Sequence, residues 1–311
     1  MRSRQLGTRG PEVSLLGLGC NNFGWTIPVD QSRAVVDAAL QSGVTLFDTA
    51  DVYGATESES FLGAALEGRR DGTVVVTKFG LPIPDAPDLP GGSAKYVEWA
   101  VDGSLQRLRT DCIDVYMYHR PDGVTPLTET VGALGELARA GKIRYAGLSN
   151  VDADQVEEAA AFAQREGVPL VAIENRYSLV RRAAEADLLP LCHRLGLGFL
   201  PYYPLESGLL TGKYRRDQPP PPASRFETRP GIWSPDRWLN DQMFDRTEAL
   251  ERFAAERGLS LLQVALGGTA AMPAVTSVIA GATKAGQVEA NVAAVEWTPS
   301  GEDLAALRAL R

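Results

Sequence analysis

The sequence has 311 residues, a net charge of −8, 44% hydrophobic residues, two histidines and three cysteines. Its longest basic clusters are pairs, such as Arg181–Arg182 and Arg215–Arg216, which argues against nucleic acid as the main partner. Widely separated Cys20, Cys112 and Cys192, with no CxxC, argue against a disulfide framework or structural zinc. Two histidines, with no HxH or HExxH, argue against a metal centre.

The start, MRSRQLGTRGPEV, has no apolar core of signal-peptide length, and no run reaches membrane-helix length. A soluble cytoplasmic protein with no membrane partner is expected. Residues 2–13 read as a small hairpin, with a turn at Gly7–Gly10. LLGLG (15–19) reads as the first barrel strand, and 30–41 as a helix with Ala34, Val35, Ala38 and Ala39 on one face. VTLFD (44–48) is the second strand, after which Thr56 and Glu59 have the spacing of a capping box. TVVVTK (73–78) is the third strand, and the Pro- and Gly-rich stretch 81–93 is a loop. Val97, Val101, Leu105 and Leu108 repeat at helical spacing.

CIDVYMYH (112–119) carries the fourth strand, and a helix with Leu127, Val131, Leu134 and Leu137 ends at Gly141. IRYAGLS (143–149), LVAIEN (170–175), LGFLPYYP (197–204) and TSVIAG (276–281) complete the strands, with helices at 153–165, 186–195 and from about Lys284. Residues 214–243, with a run of four prolines, Trp233 and Trp238, read as an irregular lid or wall over a pocket. About eight strand–helix units predict one domain over 1–311. Its expected fold is an α/β (β/α)8 TIM barrel with an N-terminal β-hairpin and extra helices and loops at the C-terminal mouth. An open doubly wound sheet is the second choice. GLGCNNFG (17–24) is not a dinucleotide fingerprint, because its third glycine is misplaced, and it reads as a glycine-rich strand end.

Asp48, Tyr53, Lys78 and His119 follow successive apolar runs, and parallel barrels place their chemistry at strand C-termini. Hydride transfer to a carbonyl puts charge on its oxygen, and a phenol stays protonated at neutral pH to supply the proton. Lys78 is placed to stabilise the phenolate and lower the Tyr53 pKa. Asp48 is placed to pair with Lys78, and His119 to orient the carbonyl or help shuttle the proton. Tyr53 and His119 are thereby also expected to touch substrate.

The motifs FDTADVYGATESESFLG (47–63), VVVTKFG (74–80), RLRTDCIDVYMYHRPD (107–122), GKIRYAGLSN (141–150), YYPLESGLLTGKY (202–214) and TSVIAGATKAGQVEAN (276–291) occur in order. In them the chain resembles the aldo-keto reductase family along nearly its whole length. The MYHRPD segment is similar to that of bacterial members. The resemblance implies a catalytic tetrad of Asp48, Tyr53, Lys78 and His119, with Tyr53 as general acid, and NADPH/NADP rather than NAD as cofactor. It implies that Ser149 and Asn150 hold the nicotinamide carboxamide, that Tyr202 stacks on the ring, and that Leu205, Glu206, Ser207, Gly208 and Leu209 cross the pyrophosphate. Lys213 adds a cation there. Gly281, Thr283, Lys284, Gln287 and Asn291 open the last barrel helix, with Thr283 and Lys284 suited to a 2′-phosphate and Gln287 and Asn291 to the adenine.

Two departures stand out. Glu174 occupies a place where many relatives have glutamine; near the carboxamide it accepts but does not donate, and its charge favours the oxidised ring. Tyr203 stands where serine is common. Trp25 reads either as a wall of the substrate pocket or as a buried loop anchor. The resemblance implies a reductase of aldehydes or ketones such as sugars, ketosteroids or polyketide ketones. Alternatives on the same scaffold are a sugar or secondary-alcohol dehydrogenase, a nucleotide-ketosugar reductase and, third, a redox-sensing binding subunit of a membrane channel. Nothing in the pattern fixes an oligomeric state.

Overall fold

A computed structural model describes residues 1–222, 224–228 and 238–310. Eight parallel strands close into a barrel: β3 (Leu16–Gly19), β4 (Leu46–Asp48), β5 (Val74–Phe79), β6 (Ile113–Tyr118), β7 (Ile143–Ser149), β8 (Leu170–Arg176), β9 (Gly198–Tyr202) and β10 (Val278–Gly281), with β10 returning to β3. The antiparallel hairpin of β1 (Ser3–Gln5) and β2 (Glu12–Ser14) lies outside that ring. The expected TIM barrel with its N-terminal hairpin is therefore the observed fold.

Alternation along the strands makes two cores. Leu46, Val74, Val76, Val115, Met117, Ala172, Leu200 and Ile279 meet inside the barrel. Phe47, Val75, Tyr116, Ile173 and Phe199, one position out of phase, face the helices. A period of two requires this division when a strand is buried on both faces. Leu6 and Val13 of the hairpin join the inner cluster and plug its N-terminal end. Around the barrel pack α1 (Val29–Gln41), α2 (Glu57–Leu66), α3 (Ala94–Leu108), α4 (Leu127–Arg139), α5 (Ala153–Glu166), α6 (Leu188–Leu195) and, after β9, α7 (Asp241–Glu256), α8 (Leu261–Ala270), α9 (Ala285–Val295) and α10 (Gly301–Ala309).

Two expectations need correction. Thr56 does not cap α2: it sits at φ 83° and makes no capping bond. Glu59 instead accepts from Thr77 Oγ1 at 2.6 Å and Arg107 Nε at 2.7 Å, so a buried network takes the carboxylate the capping box needed. Within 214–243 the described residues hold a short helix at Arg225–Thr228 and, at the end, the start of α7 at Asp241; residues 223 and 229–237 lie outside the described residues. Arg216 ties the stretch to α7 through Asp241 and Glu248, at 3.0 and 3.1 Å. Trp238 packs on the Arg176 guanidinium, 4.0 Å from its ring centre, and on the Tyr203 ring, so it belongs to a wall beside β8 and β9. Trp233 lies outside the described residues.

Leu6 is fully buried under the barrel. Leu6→Ala should lower unfolding stability by about 2–5 kcal/mol, the usual range for a core leucine, as read by denaturant titration.

Candidate active site

The alternation that fills the inner core also builds the site. Two residues beyond its apolar layer, the same strand faces carry Asp48 after Leu46, Lys78 after Val76, Glu174 after Ala172, Tyr202 after Leu200 and Gly281 after Ile279. His119 follows Met117 in the same way, and Ser149 follows Gly147. Gly147 leaves room for Met117, whose Cε would lie 2.5 Å from an added Cβ. Gly17 likewise makes way for Leu46 and Ile279, and Gly19 lies two residues above it. The C-terminal mouth is thus a ring of polar groups on six neighbouring strands, β4 to β9, with glycine instead of a side chain on β3 and β10.

Lys78 is fully buried and its Nζ is triply held. It pairs with Asp48 Oδ1, donates to the Thr49 carbonyl at 3.0 Å and lies 3.3 Å from Glu174 Oε1. Burial alone would depress its pKa, but the Asp48 and Glu174 carboxylates outweigh burial and raise it, so Lys78 stays charged. Tyr53 follows β4 in a turn of left-handed residues, Gly54 at φ 63°, Ala55 at 52° and Thr56 at 83°. A Cβ on Gly54 would lie 2.5 Å from the Phe23 carbonyl, so that turn requires glycine. The turn brings the phenol over the cluster, with Lys78 Nζ 5.4 Å from its ring centre. His119 meets the ring edge-on at 5.7 Å and Trp25 at 6.0 Å. The structure therefore brings Asp48, Tyr53, Lys78 and His119 together.

The electrostatics differ from the sequence expectation at one point. Lys78 does pull the Tyr53 pKa down, but burial is the larger effect, and Asp48 and Glu174 add to it, so the net shift is upward. Two carboxyls around one ammonium leave little positive field for the phenol. His119 is driven down to about 3, by burial first and then by Lys78 and Arg120, so its imidazole is neutral. Its Nδ1 is buried without a partner.

A chain of hydrogen bonds runs along the opposite side. Tyr202 Oη donates to Asn150 Oδ1 at 2.6 Å, Asn150 Nδ2 donates to the His119 carbonyl at 2.9 Å, and Ser149 Oγ donates to the Glu174 carbonyl at 2.7 Å. Glu174 itself was expected at the carboxamide; its carboxylate is turned to Lys78, with Oε2 buried and accepting from no donor. After β9, Tyr203, Glu206, Ser207 and Gly208 take positive φ in one loop, beside Leu205 and Leu209. Glu206 is fully buried and anchors that loop by accepting from Ser178 Oγ at 2.9 Å, Arg176 at 2.5 Å and Arg181 at 3.0 Å. Ser207 Oγ is buried without a partner, and Lys213 lies across Gly208, its Cε 2.6 Å from where a Cβ would be.

Beyond β10, Thr283 N–H donates to Gln287 Oε1 at 2.8 Å and Gln31 Nε2 to the Thr283 carbonyl at 2.5 Å. Gln287 thus closes the turn rather than reaching outward, Asn291 is buried, and Lys284 is exposed just before α9. An orphan hydroxyl at Ser207, a left-handed loop without side chain at Gly208, strand ends without side chains at Gly19 and Gly281 and a lysine at a helix N-terminus together fit a dinucleotide with phosphates. Trp25, at 43% exposure, is no buried anchor and stands at the mouth.

Two residues of the site escape a motif reading. Arg120 follows His119 at the rim and depresses its pKa. Asp51 is fully buried between Asp48 and Tyr53, with neither oxygen partnered. The signal for Asp51 was a carboxylate inside a strand-end turn, but nothing in sequence says that it points inward.

A model of the aldo/keto reductase family matches residues 15–311. A protein named "Probable aldo-keto reductase 1", from Glycine max, is 34% identical over 308 residues, covering 96% of this chain and 86% of that protein. Proteins named "Probable voltage-gated potassium channel subunit beta" are 36% identical in Oryza sativa subsp. japonica and 34% in Arabidopsis thaliana, each over 96% of this chain and 92% of their own length. The barrel and the family match place this chain in the class of α/β-barrel, nicotinamide-dependent carbonyl oxidoreductases. The chain belongs to the aldo/keto reductase family. These relatives are plant proteins and lend no support to a specifically bacterial affinity. No helix among the described residues is long and apolar enough to cross a membrane.

Asp51 gives a pH test. Burial, then Glu59, raises its pKa well above the usual 3.8. A carboxyl whose folded pKa is raised binds its proton more tightly when folded, so its contribution to stability declines as pH rises from the unfolded value through the folded one. Asp51→Asn, which cannot ionise, should melt no earlier than the parent at neutral pH and gain on it as pH rises, measured by thermal denaturation.

Proposed function

We propose that the protein is an NADP(H)-dependent reductase of aldehydes or ketones, with Tyr53 as the general acid. One observation carries this reading: Tyr53 stands over a buried, permanently charged Lys78 and against a neutral His119 at the mouth of a family barrel. A reduced nicotinamide, held by the residues named below, would supply the hydride for the carbonyl carbon. Tyr53 gives its phenolic proton to the carbonyl oxygen as charge develops there, and recovers a proton from water afterwards. A phenol whose pKa burial has raised holds that proton until the oxygen becomes basic. His119, being neutral, is suited to orient the carbonyl rather than to carry its proton. Asp48 holds Lys78 in place and keeps it charged.

Ser149 and Asn150 are the proposed carboxamide partners, with Tyr202 against the ring. Tyr202 Oη already fixes the Asn150 amide, which preorganises it. Leu205, Ser207, Gly208, Leu209 and Lys213 are the proposed pyrophosphate loop. Gly281, Thr283 and exposed Lys284, with Gln287 and Asn291 behind them, are the proposed site of the adenosine end. Trp25 shares the substrate side with Tyr53 and His119. The whole chain acting as one domain, in the cytoplasm, on a small-molecule carbonyl is part of the same proposal. A second reading, favoured by the names of two relatives, is a nicotinamide-binding subunit of a channel assembly.

Turnover separates the two readings. With NADPH absorbance followed against a carbonyl panel, wild type should turn over and Tyr53→Phe should lose about 10²–10⁴-fold in kcat while binding NADPH normally, the range for a lost general acid. Retained turnover in Tyr53→Phe would show the acid assignment to be wrong. Lys284→Ala should weaken NADPH more than NADH in a direct binding titration, and equal weakening would remove Lys284 from the 2′-phosphate.

A further inference from the structure

Lys78 is met by two buried carboxyls where charge balance needs one. Asp48 comes from β4 and Glu174 from β8, four strands apart around the barrel, yet both reach the same Nζ. Both carboxyls are buried, so two acidic groups share one enclosed ammonium. Two ionised carboxylates on one enclosed ammonium would leave a net negative charge out of water, which a single retained proton removes. Glu174 is 2% exposed, and its Oε2 has no donor within reach, whereas Asp48 takes the ammonium's close contact. An ionised Glu174 with an unanswered oxygen in that place would be a costly buried charge.

We propose that Glu174 is a positioning residue that keeps one proton shared with Asp48, and that this proton, acting through Lys78, sets the charge felt by Tyr53. This deepens the reductase reading and rests on it. With the proton present, Lys78, Asp48 and Glu174 together are neutral, and Tyr53 can pass its proton to the substrate against no net negative charge. Without it the cluster carries one negative charge, the phenolate is opposed, and an oxidised, positively charged nicotinamide is favoured. The protonation state of Glu174 therefore sets how readily Tyr53 gives its proton to a carbonyl and which form of the nicotinamide the site favours.

The surroundings agree. Facing Glu174 are Asp48 from β4, Tyr53 from the turn after it, Lys78 from β5 and Tyr202 from β9; on its own strand Arg176 turns away to Glu206. Burial, then Asp48, pushes Glu174 up to about 8 against the pull of Lys78, so its proton is exchanged close to physiological pH. A glutamine would have the same shape, could donate, and would carry no such titration.

The test is the pH profile of Glu174→Gln beside wild type, with Asp48→Asn as a second variant. Wild-type kcat for carbonyl reduction should fall about tenfold as pH rises past 8, equivalent to one pKa unit on Tyr53, while Glu174→Gln stays level across that window. Asp48→Asn, which leaves a single carboxylate on Lys78, should also lack the fall. The NADPH dissociation constant at the lower pH should match in wild type and Glu174→Gln. A fall that persists unchanged in Glu174→Gln overturns the proposal.

A thermal readout does not depend on turnover. The group's pKa is raised on folding, so wild-type stability from this source is present below the unfolded value and is lost as pH rises through about 8. The melting temperature of Glu174→Gln should therefore gain on wild type across that interval. A difference that does not change with pH overturns the proposal even if the protein reduces no carbonyl. If the difference does grow while NADPH fails to bind, the reductase reading fails and the shared proton stands.

Discussion

Everything at the mouth depends on keeping an ammonium charged where there is no water. Lys78 is wholly enclosed, and an unpaired charge there would cost several kcal/mol, enough to drive the proton off instead. Asp48 and the Thr49 carbonyl prevent that, and Glu174 stands as a further carboxyl in reserve. The consequences radiate outward. The same Lys78 charge adds to burial in holding His119 neutral, and it resists burial in pulling on the Tyr53 phenol. Burial thus keeps the proton on the Tyr53 phenol against the pull of Lys78 and, together with Lys78, keeps it off the His119 imidazole, so one enclosed site offers both an acid and a neutral hydrogen-bonding group.

The scaffold delivers those groups without special machinery. The alternation that puts Leu46, Val76, Ala172 and Leu200 inside the barrel necessarily puts Asp48, Lys78, Glu174 and Tyr202 one layer higher. The hydrophobic interior and the reactive ring are successive storeys of one pattern, so the packing that stabilises the barrel also sets the aim of the reactive side chains. The loops are fixed by separate ties. Asp122 accepts from the backbone of Gly92, Val124 and Thr125, joining the loops after β5 and β6, and these bonds hold its pKa down at about 2 despite partial burial.

The barrel, its hairpin and the meeting of Asp48, Tyr53, Lys78 and His119 were legible because they depend on local signals: apolar runs, a period of two and polar residues at run ends. What was not legible depends on contacts between distant strands. Glu59 had the spacing of a capping residue, but Arg107, 48 residues away, claims it. Glu174 had the position of a carboxamide partner, but the ring geometry turns it onto Lys78. The sign of the Tyr53 shift follows from that second carboxyl and from burial, neither of which a motif records. Helices α7 and α8 were passed over because the proline-rich stretch before them dominates the reading of that region.

Backbone conformation gives independent support for where function lies. Ten non-glycine residues among those described have positive φ, and Ala55, Thr56, Asn150, Tyr203, Glu206 and Ser207 among them lie in the loops after strands β4, β7 and β9 at the mouth. Such conformations cost on the order of 1–3 kcal/mol each and persist only where surrounding contacts over-determine them. Those contacts are present: Ser58 Oγ reaches the Cys20 carbonyl at 2.9 Å beneath the Tyr53 turn, and two arginines hold Glu206. The strain is concentrated in three loops at the C-terminal end of the barrel, after β4, β7 and β9. A fold selected for stability alone would have no reason to collect its least favourable backbone there. A fold that must hold a phenol, an amide and a phosphate-sized cradle in fixed relation to one buried lysine does.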